Sequence, residues 1–385
     1  IVTKDWLSLL LQCIQSDGTI VSATPTTPNV SNLQGMREQY ETMEEMARFA
    51  ASNNRQDPGK WERRARIMPV IALYDGEKLN AIGFADRFFE TMEFWDDDFS
   101  LRARRAGYKQ MLCRDVFCHH FGSITGKQSQ VQENSLKNGK QRFLEKHRVD
   151  PWGNGAYYDL KGIAQLKPAL ADLRTPAAAL GMDCGFGDTL LQIGNILRQN
   201  GRDVVLHGIS EQRLYREDLQ AICDRFRYVQ SEEALLRFLQ DGFDGQQYDC
   251  VYLTLPLEHY AQWKKALGLL HRRLKPWGAL MFTVSNPFYA VCFQWLASLC
   301  FPMLQERLCY LNQDAVERQL NRLFGEVTKT PVPGRLEPAI VKEFAQKIPI
   351  KRMPDPYAEA VLNTTGFQYL CVGKKSFASR AAVTE

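Results

Sequence analysis

The chain has 385 residues, 45% hydrophobic and 24% charged, a balance that excludes a largely disordered protein. Its length exceeds what one hydrophobic core usually organises and predicts two domains with a connecting segment. The 48 basic and 44 acidic residues leave a formal charge of only +4, too small and too scattered to favour a nucleic-acid partner.

Ten cysteines form no Cys-x-x-Cys pair, and several, such as Cys250 and Cys371, sit inside apolar runs. That usage suits buried, reduced thiols in a cytoplasmic protein. The chain opens on Ile1, and residues 1–15 lack the basic start and unbroken apolar stretch of a signal peptide, so it is expected to be part of something longer. The most apolar segment, FYAVCFQWLASLCFPML at 288–304, is interrupted by Gln294, Ser298 and Pro302 and is shorter than the roughly 20 residues of a spanning helix. It reads as a buried helix, with peripheral contact at the inner face of a membrane as the alternative.

In chain order, residues 5–15 place Trp6, Leu7, Leu10, Leu11 and Ile14 on one helical face, and Gly18 releases the chain into a strand, TIVSA. ATPTTPNVSN reads as a loop, MREQYETMEEMARFAAS as a helix, Asn53 to Lys60 as a polar break and IMPVIALY as a strand. Three carboxylates follow, Asp96, Asp97 and Asp98, then a short helix stopped by Gly107 and a strand ending at His119 and His120. Residues from about Ser123 to Pro168 are polar and uneven, with a helical stretch in KQSQVQENSLKNGKQRFLEKHR, and form the expected connector. Beyond it strands and helices alternate: AAALGMD, a helix from Thr189, DVVLHGIS, a helix near 213–226, YDCVYLTL, a helix near 259–274 and ALMFTVS. Such alternation predicts a doubly wound βαβ sheet.

Asp98 can cap the short helix, with Arg102, Arg104 and Arg105 complementing its C-terminal end. Capping needs one aspartate rather than three. Adjacent carboxylates raise each other's pKa unless a cation compensates, which marks the triplet as a candidate site; a solvated acidic helix start is the alternative.

The order in ALYDGEKLNAIGFADRFFETMEFWDDDFSLRARRAGYKQMLCRDVFCHHFGS resembles the second half of inverting GT-A glycosyltransferases, the large family that uses nucleotide-diphosphate sugars. GFADRFF at 83–89 stands where that family has a gly-phe-asp-glu-arg-phe turn. An acidic motif, a leucine-arginine-glycine-tyrosine pattern and a strand ending in histidine follow. The resemblance spans roughly residues 1–150. It implies displacement at a sugar's anomeric carbon, with one carboxylate as general base and Mg²⁺ or Mn²⁺ balancing the departing diphosphate. Asp96 takes the base position, Asp97 and Asp98 are the next candidates, and Trp95 stands where a Glu is usual. His120 matches a metal or diphosphate ligand, and His119 is expected to be structural. VTKDWLSLL resembles the segment directly after the family's Asp-x-Asp metal motif, so the nucleotide-binding half is expected to be absent and the chain alone inactive in sugar transfer. The implied partners are a nucleotide-sugar donor and a glycan or surface-polymer acceptor, as in bacterial polysaccharide synthesis.

In the second half, an apolar strand runs into Gly185 and Gly187 and then a helix, a turn that lets a ligand approach backbone. This half resembles class I S-adenosylmethionine methyltransferases: LTLPLEHY at 253–260 stands for asp-val-leu-glu-his-leu and RLKPWGALMFTVSNP at 273–287 for leu-lys-pro-gly-gly. The resemblance implies S-adenosylmethionine as cofactor, held by Asp183, Gly185, Gly187, Ser210, Glu211 and Glu258. The departures are Gly181 in place of the strand's acidic residue, Asp183 in place of the first glycine, and Ser210 where a ribose-binding carboxylate is expected, with Glu211 one place later. A hydroxyl does not replace a carboxylate that accepts two hydroxyl hydrogen bonds.

The expected organisation is therefore α/β throughout. A partial GT-A module covers 1–125, a connector 126–170, a Rossmann-like methyltransferase-type domain 171–375 and a tail 376–385. The rival expectation is a non-catalytic glycan- or partner-binding module with a degenerate methyltransferase fold.

Overall fold

Apolar strands alternate with amphipathic helices along the described residues. The computed structural model describes residues 1–37, 40–90, 93–122, 134–152, 159–170, 176–199, 203–286, 311–333 and 366–376. In order come α1 (Trp6–Gln15), β1 (Ile20–Thr26), α2 (Met43–Asn53), β2 (Trp61–Arg64), β3 (Leu73–Tyr74), α3 (Gly76–Ile82), α4 (Trp95–Arg105), β4 (Lys109–Phe117) and α5 (Ser135–His147). They are followed by α6 (Leu160–Leu170), β5 (Ala177–Met182), α7 (Asp188–Arg198), β6 (Val204–Ser210), α8 (Arg216–Ile222), β7 (Arg225–Tyr228), α9 (Glu232–Asp241), β8 (Tyr248–Leu253), α10 (Trp263–Arg273), β9 (Leu274–Ser285), α11 (Gln313–Leu323), β10 (Glu326–Pro333) and β11 (Gly366–Lys374). Two units form, one of Ile1–Tyr158 with Cys184–Tyr228, the other of Asp159–Asp183 with Val229–Glu385.

The first unit holds a four-stranded mixed sheet of order β2-β4-β1-β3, in which only β1 and β4 run parallel. Helix α1 covers it through Leu9, Leu10, Cys13 and Ile14, packed with Ile20, Ala23, Met111 and Val116. Leu7 and Leu11, expected inside, are 48% and 44% exposed. The helix is leucine-rich on two adjoining stripes, and the apolar faces of β1 and β4 select between them.

Helix α2 begins at Met43, seven residues later than expected. Thr42 Oγ1 accepts from the Glu45 backbone N–H at 3.2 Å while Glu45 Oε2 accepts from that of Thr42 at 3.2 Å, a reciprocal cap that fixes the start. Pro25, expected in a loop, lies in β1 past Ala23, where pairing with β3 has ended, and beside a register shift. Such places tolerate proline in a sheet. IMPVIALY contributes only Leu73 and Tyr74 as strand, whereas WERR, which carried no strand signal, forms β2. Its buried Glu62 is matched by Arg64 Nη1 at 3.0 Å and Arg114 Nε at 2.6 Å, pairings that an alternation of charges does not announce.

The same unit carries α7, buried along nearly its whole length, and the parallel pair β6 and β7. The helix expected near 213–226 is a 3₁₀ turn plus the short α8, because RFRY at 225–228 is strand β7.

In the second unit the strands lie in the order β10-β11-β9-β8-β5. β5, β8 and β9 are parallel and β11 is antiparallel to both its neighbours. β5 and β8 are buried throughout, as strands covered on both faces must be. The chain leaves β5 for β6 and β7 and returns to pair β8 with β5, the ordering of a doubly wound sheet. The second half is thus a Rossmann-like α/β fold. The mixed sheet of the first unit does not by itself assign the GT-A family.

The segment at 288–304 lies outside the described residues; among those described, no helix is long and apolar enough to cross a membrane. Seven described cysteines are buried and in no disulfide.

Trp277, in the RLKPWG turn where the resemblance expects glycine, has φ 68° and is 54% exposed. A left-handed side-chain-bearing residue is disfavoured, though glycine loses more entropy on folding. Trp277→Gly should therefore raise stability by about 0.5–1 kcal/mol. The urea midpoint checks this, and a fall would mean that the indole makes a contact outweighing the backbone strain.

Candidate functional site

Helix α4 presents the acidic triplet. Its N-cap position is Phe94, left-handed at φ 70° and without a side-chain cap; the expected capping role of Asp98 is thereby corrected. Asp98 lies one turn inside the helix, fully buried, and receives Arg102 Nε at 2.8 Å, Lys146 Nζ at 2.5 Å and His147 Nε2 at 2.7 Å. Burial alone would raise its pKa, but hydrogen bonds from His147, Lys146 and Arg102 hold it down at about 2. Arg102 in turn donates to the backbone oxygens of Ile82, Gly83 and Phe84 at 2.6–2.7 Å, fixing the loop ahead of the triplet. Gly107, at φ 85°, ends the helix in the left-handed stop expected of it.

Asp97 accepts from Arg66 Nη1 at 3.1 Å. Burial raises its pKa and Asp188 adds to that, while Arg66 opposes. It lines a void of about 10 Å³ with Arg66, Arg104, Phe186 and Asp188, room for at most about one water. Asp96 has no side-chain ion pair among the described residues. Burial pushes its carboxyl pKa up to about 7, with the Asp97 charge adding and Arg66 only weakly opposing. Tyr74 is close enough for Asp96 to help burial raise the phenol pKa, and its ring meets Phe84 and Phe99 edge-on. Phe84 also lies 4.9 Å from Trp95. The three aspartates are therefore chemically distinct: one locked, one salt-bridged and one held near neutrality.

His119 is buried, and its Nδ1 lies 2.6 Å from the Tyr40 hydroxyl, an arrangement that suits a structural residue. His120 Nδ1 sits 3.2 Å from the Asn29 carbonyl. Among the described residues no three His, Cys, Asp or Glu side chains converge on a metal site, and none of them completes a donor set with His120 for Mg²⁺ or Mn²⁺.

In the Rossmann-like half, Asp183, Gly185 and Gly187 all take positive φ, at 53°, 53° and 84°. At φ 84° a side chain on Gly187 is disfavoured by the backbone itself, and its Cβ would also press on Ile222 Cδ1 at 2.8 Å. Asp183, Cys184, Phe186 and Asp188 are buried. Phe186 belongs to a cluster with Phe89, Phe94, Leu101 and Phe143, and the Arg104 guanidinium lies 5.1 Å from its ring centroid. Ser210 is buried, and its Oγ accepts from the Gln212 backbone N–H at 2.9 Å; Glu211 is half-buried. In the other unit Glu258 Oε1 accepts from the Ser285 N–H at 2.9 Å, tying the end of β9 to a 3₁₀ turn. The loop backbone fits close approach by a nucleoside cofactor. The side chains fit it unevenly: Ser210 Oγ is used in its own turn, while Glu258 has Oε1 on Ser285 and leaves Oε2 buried without a partner among the described residues.

The residues missed from sequence are Arg66, Tyr74, Lys146 and His147, all distant from the triplet along the chain. Only the Asp98–Arg102 pair, four apart on one helix, carried a local signal.

No protein-family model matches the chain, and no curated protein matches it. Among solved structures it is similar to an S-adenosylmethionine-dependent methyltransferase from Thiobacillus denitrificans solved with S-adenosyl-L-homocysteine, at 13% identity, covering 60% of this chain and 94% of that one, with a TM-score of 0.32. A phosphoethanolamine-type N-methyltransferase 2 from Haemonchus contortus matches at 14% identity over 66% and 61% of the two chains, TM-score 0.33. The YcgJ protein of Bacillus subtilis matches at 14% identity over 56% and 98%, TM-score 0.33. Similarity at this level assigns neither substrate nor activity.

Proposed function

We propose that this chain carries the acceptor side of a glycosyl-transfer site, with Asp96 as general base, joined to a domain of methyltransferase architecture. The supporting observation is the separation of the triplet: Asp98 is held by three cationic or imidazole groups and Asp97 by Arg66, while Asp96 is unpaired among the described residues and poised near neutral pH. A base with pKa near the working pH combines adequate ionisation with strong proton affinity. The Asp96 carboxylate takes the acceptor hydroxyl's proton as that oxygen bonds to the anomeric carbon, and the bond to the nucleoside diphosphate breaks with its electron pair leaving on the diphosphate. Phe84 and Trp95 offer an aromatic wall beside the reacting groups.

The test is Asp96→Asn in a protein that joins this chain to a nucleotide-sugar-binding half. Transfer should fall by about 10²–10⁴-fold with the circular-dichroism spectrum unchanged. In the unsubstituted protein turnover should climb as pH rises through about 7, where Asp96 ionises. Near-normal turnover of the variant would remove Asp96 from the base role.

For the Rossmann-like half we infer a methyltransferase-type domain with weakened cofactor chemistry. The doubly wound order, the left-handed loop at Asp183–Gly187 and the succession LTLPLEHY then RLKPWG support the architecture. The neutral Ser210 in the place of a ribose-binding carboxylate, its Oγ used in its own turn, favours the second reading, a non-catalytic module that binds a glycan or a partner. Calorimetry with S-adenosylmethionine and S-adenosylhomocysteine separates the two: binding supports a methyltransferase, and absence of heat and of thermal shift at millimolar ligand leaves the binding module.

A further inference from the structure

A second cavity of about 260 Å³ lies within the first unit, away from the aspartate triplet. Arg63 of β2, Arg198 at the end of α7 and Lys109 at the start of β4 line it, with Asp17, Asp224 and the Trp61 ring. Its acids are committed. Asp17 Oδ2 receives Lys109 Nζ at 2.6 Å and its Oδ1 receives Thr19, while Asp224 Oδ2 receives the Leu206 N–H at 2.7 Å.

Two of the cations are not matched in this way. Arg63 spends its guanidinium on two backbone oxygens, Ala221 at 2.8 Å and Ile222 at 3.3 Å. Arg198 makes no hydrogen bond or ion pair that the described residues supply, and the charge of Asp224 acts on both Arg63 and Arg198. Both guanidinium pKa values are pulled down by burial, and at Arg63 the charges of Arg104 and Arg198 add to the effect. Holding like charges together in a half-buried wall costs free energy that a bound anion recovers. Three cations against two acids leave the wall one charge positive. Trp61 donates its indole N–H to Asp115 at 3.0 Å and leaves its ring as an apolar surface beside the charges.

We propose that this cavity is a binding site for a small phosphate monoester, its phosphate received by Arg63 and Arg198 and its organic body lying against Trp61. Guanidinium groups are planar forks matched to phosphate oxygens, and a phosphate monoester offers three such oxygens to the Arg198 fork and to the Arg63 N–H groups not used on Ala221 and Ile222. The volume is ample for a sugar phosphate, since about 10–15 Å³ on this measure already holds one water. The site is separate from the one containing Asp96 and stands whether or not that reading holds.

The experiment is thermal shift and calorimetry on the whole chain with inorganic phosphate, glucose 1-phosphate and citrate at about 10 mM, with potassium chloride at matched ionic strength. Glucose 1-phosphate should raise the melting temperature and bind at least about tenfold more tightly than inorganic phosphate, because only it fills the body of the cavity. Arg198→Gln should weaken that binding at least about tenfold without lowering the ligand-free melting temperature, since Arg198 holds no partner among the described residues and its charge acts against that of Arg63; Arg198→Lys should restore part of the binding. The proposal is overturned if chloride gives the same shift, if citrate binds more tightly than glucose 1-phosphate, if nothing binds, or if Arg198→Gln binds like the unsubstituted protein.

Discussion

Asp218→Ala is expected to lower folding stability by about 3–5 kcal/mol, the cost of leaving a buried ion cluster without its anion. Asp218 is fully buried in α8 and receives Arg104 Nε at 3.0 Å and Nη2 at 2.5 Å on one oxygen, and Arg105 Nη2 at 2.7 Å on the other. Arg104 is itself buried, with Nη1 on the Ala65 carbonyl at 2.5 Å. Removing the carboxylate strands a guanidinium that cannot reach water. The same principle predicts that Arg104→Met combined with Asp218→Leu, which removes both charges and keeps apolar volume, costs far less than either single change. Urea denaturation of the three variants checks this. A single-variant loss below about 1 kcal/mol would mean that water reaches Arg104 after the change.

Asp98→Ala should cost a similar about 3–5 kcal/mol at neutral pH, because its carboxylate joins α4 to α5 through Lys146 and His147 and holds Arg102 on the 82–84 loop. The pH dependence distinguishes it from a simple cavity. The folded-state pKa is depressed to about 2 from an ordinary 3.8, so the ionised carboxylate's contribution is fully present above about 3.8 and is lost as pH falls through about 2. The gap between unsubstituted protein and variant should therefore narrow over that window and stay constant above it. Denaturation midpoints between pH 2 and 7 read it directly, and a gap indifferent to acid would assign the loss to packing rather than charge.

Asp98 also shows why part of the site was illegible from sequence. As the third member of DDD before a helix it has the position of a cap or an extra base, and locally only Arg102, four residues on, distinguishes it from Asp96. The partners that immobilise it come from α5, nearly fifty residues away, and those of Asp97 and Asp218 are equally remote. Charge pairing across elements has no period, so only the folded chain reveals which carboxylate stays uncommitted. Strand β2 was missed for a related reason, since its buried Glu62 is paired through Arg114 of another strand.

Features governed by short-range chemistry could be read directly. The left-handed stop at Gly107, the arrangement of α4 followed by β4, the buried parallel strands β5 and β8, and the glycine turn after β5 each follow from backbone sterics or from a pattern within about ten residues. The late start of α2 was legible too, in Thr42 and Glu45, had the capping pair been weighed above helical propensity.

The sequence by itself determined the alternation of elements, the Rossmann-like class of the second half and the place of the acidic triplet, because these depend on periodicity and on residues that adopt few backbone conformations. Tertiary structure alone decided which stripe of α1 is buried, which aspartate carries no ion pair among the described residues, and where Arg63 and Arg198 share a cavity. Those outcomes depend on desolvation and on charges brought together from distant segments.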